Sequence, residues 1–107
     1  SGQGLARDPG RAHEYYHRAC EGGSGLGCEG EARSYRDGIG APPDAGAAER
    51  LFAQARIVYR VHCDQRHAVS CVRLAALHAR GVGGPADDRV ALTYRQKACA
   101  LGHRASC

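Results

Sequence analysis

Apolar and small residues recur along this chain at the spacing of an α-helix. Ala12, Tyr15, Tyr16 and Ala19 occupy i, i+3, i+4 and i+7, one buried stripe of an amphipathic helix. Ala91, Tyr94 and Ala98 repeat three of those four positions near the other end. Two further runs, "CEGEARSYRDG" and "CVRLAALHARG", read as helices that stop at glycine, and their small alanines permit close helix crossings. The pattern predicts alternating helices: a helix A that ends at a cysteine, a short turn, then a helix B that ends at a glycine.

The punctuation between these runs is itself periodic. Cysteines fall at Cys20 and Cys28, Cys63 and Cys71, and Cys99 and Cys107, three C-x7-C pairs. Six residues separate a Gly from an Asp in "GQGLARD", "GIGAPPD" and "GVGGPAD", so Asp8, Asp44 and Asp87 each end a loop and stand where a helix N-cap is needed. Pro9 follows at the first helical position, where its missing N–H costs nothing. Gly23 and Gly102 stand third after their cysteines, where a left-handed residue is expected to end helix A. Arg66 breaks that rule in the middle unit. The expected organisation is one array over 1–107: repeat 1 at 2–37, repeat 2 at 38–80 and repeat 3 at 81–107, cut before its helix B. Repeat 2 carries seven additional residues, which either lengthen its helix A or its preceding loop.

Composition narrows the picture. The 107 residues contain no Trp, no Met and one Phe, so the core must be built from Ala, Leu, Val and Tyr, which suits helices better than strands. The net charge is +4, but the arginines are scattered rather than gathered into a run, so a nucleic-acid face is not favoured. No apolar stretch reaches the length of a membrane span. The absence of an initiator Met and the phase of the two ends lead us to expect an excerpt of a longer repeat protein.

Hairpins of this length, the G-x-G-x-x-x-D loops, "YRQKACALGHRASC" and "EYYHRACEGGSGLGC" resemble Sel1-like repeats, in particular the cysteine-rich bacterial subgroup whose hairpins are cross-linked. The resemblance spans the chain and is weakest in repeat 2. It implies an all-α fold, a right-handed α/α solenoid of antiparallel helix hairpins related to tetratricopeptide repeats, with one disulfide per repeat and a role in binding other proteins. Some cysteine-rich members are described as penicillin-binding or weakly β-lactamase-like, but no S-x-x-K motif, G-x-S-x-G elbow or Ser/His/Asp order supports an acyl-transfer enzyme here.

Six cysteines allow 15 pairings. The repeat selects Cys20 with Cys28, Cys63 with Cys71, and Cys99 with Cys107, each joining the end of a helix A to the start of a helix B. Oxidised cysteines imply an oxidising compartment: periplasm, the cell exterior, or the mitochondrial intermembrane space in a eukaryote. The competing use of Cys and His is a metal. The C-x2-4-C spacing of zinc sites is missing, although His62 and His67 beside Cys63 could contribute if the thiols were reduced.

"HEYYH", His13 to His17, matches the H-E-x-x-H of zinc proteases. The repeat accounts for it differently, because it lies inside helix A of repeat 1, and no third ligand stands at protease spacing. On a wheel of about 100° per residue, Tyr15 and Tyr16 are expected to turn inward and His13 and His17 outward. The sequence reading is therefore a non-enzymatic interaction scaffold and a monomeric array, without cofactor, metal, nucleic acid or membrane span. Its expected partner-binding face consists of His13, His17, Arg56, Arg60 and Gln96, and an acidic or mixed protein partner is favoured by the arginines. The alternatives are a weak penicillin-binding hydrolase and a metal- or haem-handling protein that uses surface histidines.

Overall fold

The computed structural model describes residues 8–107, so the first Gly-to-Asp loop lies outside the described residues apart from Asp8. Five α-helices are described: α1 Pro9–Glu21, α2 Gly25–Asp37, α3 Ala45–Asp64, α4 Ala68–Arg80 and α5 Asp88–Ala100, followed by a 3-10 turn at Arg104–Ser106. There is no strand among the described residues. The chain divides into two compact units, one ending at Ala55 and the other spanning Arg56–Cys107, with the division inside α3.

Local chemistry sets the helix bounds. Asp8 accepts from the Arg11 N–H, Asp44 from the Ala47 N–H, and Asp87 from the N–H groups of Arg89 and Val90, so the loop-ending aspartates cap α1, α3 and α5. The helices α2 and α4 both stop at a left-handed glycine, Gly38 at φ 66° and Gly81 at φ 67°. The seven additional residues of the middle unit lengthen its helix A: α3 has 20 residues where α1 and α5 have 13.

The C-x7-C spacing corresponds to one compact corner. A cysteine lies in the last turn of helix A, and the third residue after it is left-handed: Gly23 at φ 93°, Arg66 at φ 71° and Gly102 at φ 103°. The fourth residue caps the next helix in the first two corners, Ser24 through its hydroxyl and His67 through Nδ1, which accepts from the Ser70 N–H. The second cysteine then lies one turn into the next segment. Disulfides close all three corners, Cys20–Cys28, Cys63–Cys71 and Cys99–Cys107. The left-handed conformation at Arg66 shows that the corner, not the residue type, dictates the backbone there.

Small residues sit at the helix crossings. Ala55 and Ala91, each eight before a first cysteine, and Ala32 and Ala75, each four after a second, are all at most 2% exposed. In the first unit α1 and α2 approach so closely that a Cβ on Gly27 would lie 2.6 Å from the Cys20 backbone nitrogen, and one on Gly30 would enter the Tyr16 ring. In the second unit Ala98 of α5 packs on the Cys63–Cys71 disulfide, with Val72, Tyr94 and Leu101 around it.

Candidate interaction site

In α1 the structure corrects the sequence reading of "HEYYH". Tyr15 is 57% exposed, whereas Tyr16 packs over Gly30. His13 is half-buried, its ring edge-on to Tyr35 at 4.9 Å, and its Nδ1 is buried without a partner among the described residues. The reason is the disulfide. Cys20 must face α2, and the residue four before it lies on the same side. That places the inward face near Tyr16 and Cys20, about 40° to 80° from Ala12 on the wheel, which draws His13 in and swings Tyr15 out. The same position holds Tyr59 in the second unit, 3% exposed.

His17 is exposed as expected, but it is not idle. Its Nδ1 lies 2.7 Å from Oε2 of Glu31, a carboxylate on α2 that is 6% exposed, and its Nε2 lies 2.7 Å from Oε1 of Glu21. Both ring nitrogens face acceptors, the arrangement of an imidazolium. The hydrogen bond to Glu31 and the charges of Glu31, Glu21 and Glu14 raise the His17 pKa above its ordinary value against an opposing desolvation. Glu14, the base of the zinc-protease pattern, bonds to Arg18 instead. No cluster of three or more metal-ligating side chains occurs among the described residues.

The second unit contains the other candidates. Arg56 is not a free surface charge. Its Nε donates to the Val82 carbonyl at 2.7 Å, and its Nη2 to the carbonyls of Leu77 and Gly84, both at 3.0 Å. Its Nη1 lies 3.1 Å from Nδ1 of His78, and since a guanidinium only donates, His78 accepts there and carries its proton on Nε2. Burial first, then the Arg56 charge, lowers the His78 pKa, with Asp87 opposing. The neutral ring stacks on Tyr94 at 5.7 Å. Arg56 therefore fastens the end of α4 and the loop after it.

Arg60 and Gln96 stay exposed. Arg60 lines a groove of about 220 Å³ with Arg56 and Ile57 of α3, Leu74 and His78 of α4, and Val90 and Tyr94 of α5. Lys97 bonds to Asp64 at 2.8 Å, a second link between α5 and α3 within that unit. Sequence reasoning missed Ile57, Val90 and Tyr94 because a groove wall and a core stripe share the same periodicity. Ile57 at 65% exposure had no local signal.

The model of the Sel1 repeat matches residues 1–24, 26–56 and 68–103, most of the chain. The chain belongs to the Sel1 repeat family. The second and third matched segments run from a helix B into the following helix A, whereas the cysteine spacing frames the repeat from loop to loop. Cytochrome c oxidase assembly factor 7 of Xenopus tropicalis is 42% identical over 55 residues, 50% of this chain and 24% of that protein. Cytochrome c oxidase assembly factor 7A of Xenopus laevis is 43% identical over 54 residues, 50% of this chain and 23% of that protein. The chain thus spans only about a quarter of the length of these relatives. Among solved structures, the Sel1 repeat protein from Oxalobacter formigenes aligns with TM-score 0.54 and 23% identity, over 91% of this chain and 37% of that one. A protective antigen of uropathogenic Escherichia coli strains aligns with TM-score 0.58 and 22% identity, over 94% of this chain and 20% of that one. These two likenesses are of fold. These comparisons establish the Sel1 family and its all-α fold, which is typical of protein–protein interaction modules; the disulfides are those of the three corners described above. No helix among the described residues is long and apolar enough to cross a membrane.

Proposed function

We propose that this chain is a non-enzymatic protein-binding scaffold of an oxidising compartment, one stretch of a longer Sel1 array with repeats at 2–37, 38–80 and 81–107. The observation that carries the compartment is the pairing of all six cysteines, with Cys28, Cys63 and Cys71 at 0% exposure. A reducing cytosol would leave these corners without their cross-links. The resemblance to cytochrome c oxidase assembly factors favours a helper that holds another protein during its assembly rather than a catalyst. Within each unit taken by itself, the exposed candidates for contact are Arg60 and Gln96 in the second and His17 in the first.

Two measurements test this. Acid quenching of the source cells followed by thiol alkylation should find all six cysteines blocked; free thiols at Cys20, Cys28, Cys63 or Cys71 would remove the oxidising compartment. A photo-crosslinking residue scanned over exposed positions, including Arg60 and Gln96, should yield discrete adducts with a partner protein in those cells. A scan that returns only uncrosslinked chain at every position would remove the scaffold.

A further inference from the structure

The geometry points to the groove between α3 and α5 in the Arg56–Cys107 unit as a docking site for a partner segment that presents one leucine-sized side chain flanked by carboxylates. This rests on the scaffold reading and gives it a ligand chemistry. At about 220 Å³ the cavity falls below the roughly 300–1,000 Å³ of small-molecule sites and suits a single side chain. Its floor is Leu74, 1% exposed, and its walls are Ile57, Val90 and the Tyr94 ring. An apolar side chain entering it would cover Ile57, which is otherwise left in water.

The rim specifies the charge of the occupant. Arg60 stands on it and makes no ion pair within 4 Å among the described residues; its nearest acid in charge terms, Asp64, already hydrogen-bonds Lys97. His78 contributes a donor, since its Nδ1 is taken by Arg56 and its proton is on Nε2. The Arg56 clamp fixes the wall formed by the end of α4, so the pocket is formed before the ligand arrives. A cationic segment would meet Arg60 as a like charge, whereas carboxylates beside the apolar residue would meet both donors.

The test uses the full chain labelled with ¹⁵N and the peptide Gly-Ser-Glu-Asp-Leu-Asp-Glu-Ser-Gly. Saturable shifts should centre on Ile57, Arg60, His78, Val90 and Tyr94, and the His78 ring should titrate at higher pH once a carboxylate sits beside it. Arg60→Glu and Ile57→Asp, both exposed positions that leave the helical spectrum intact, should each weaken binding about tenfold or more. Replacing the peptide's Leu by Ala should do the same, and replacing its four acids by Lys should abolish binding. Absence of shifts at millimolar peptide, equal binding of the Lys peptide, or unchanged affinity of Arg60→Glu would overturn the site. Photo-adducts in cells that avoid this groove would overturn it as well while leaving the scaffold reading in place.

Discussion

The same two positions of the repeat are occupied by different chemistry in the two units. Seven before the first cysteine and seven after the second stand His13 and Tyr35 in one, and Arg56 and His78 in the other. In both, the helix A residue lies beneath the loop that follows helix B: a Cβ on Gly40 would meet Pro9 and His13, and one on Gly84 would lie 2.7 Å from the Arg56 guanidinium. Arg56 answers the free carbonyls of that loop with a fork of donors. His13 answers Tyr35 with a ring contact and leaves Nδ1 unpaired. A repeat fold thus fixes where a loop must be held down without fixing how.

The largest effect should come from breaking the stronger fastening. Arg56→Met keeps the aliphatic stem but strands the Val82 and Gly84 carbonyls, and should cost about 3 kcal/mol in a urea unfolding series. A loss under about 0.5 kcal/mol would mean that the loop is held by something else. The corner turns provide the next comparison. Arg66 adopts φ 71° where Gly23 and Gly102 stand in the other corners, so Arg66→Gly should stabilise by about 1 kcal/mol, read as a higher melting temperature. At the weaker fastening, His13→Phe keeps the ring against Tyr35 and removes the unpartnered nitrogen, and should gain roughly 0.5–1 kcal/mol in the same urea series.

The smallest effect is one of pH. His17 has its pKa raised in the folded state, so its stabilising contribution is complete below the ordinary histidine value near 6.5 and fades as pH climbs through the raised value. As pH rises from the ordinary histidine value upward, the stability of the parent chain should fall relative to that of His17→Gln. The Arg56 guanidinium stays charged throughout, but its partner His78 has a lowered pKa, so that fastening weakens as pH falls below the ordinary histidine value. Parallel pH profiles for the parent and His17→Gln would show that His17 and Glu31 do not form a working ion pair.

Much of the fold was legible because it rests on local signals. Asp8, Asp44 and Asp87 as caps, Gly38 and Gly81 as stops, and the three cysteine corners all depend on interactions within a few residues. The site was less legible. The stripe of α1 was centred on Ala12, Tyr15, Tyr16 and Ala19 because periodicity alone cannot tell which edge of a stripe a disulfide will draw inward, so Tyr15 and His13 exchanged places. Arg56 looked like one of many scattered surface arginines, because its carbonyl partners lie 21 to 28 residues away. Glu31 had no signal as a buried acid: its partner His17 is 14 residues earlier, on the opposing helix.

The short span of the three bridges bears on how the chain matures. Each joins residues only eight apart. Segments of about ten residues close in roughly 10–100 ns, long before distant parts of a chain meet. The correct partner is therefore the most frequent collision partner for every cysteine, and the other fourteen of the 15 combinations are disfavoured by kinetics before folding stability has any say. Oxidation can proceed corner by corner, with little need for an isomerase to reshuffle it.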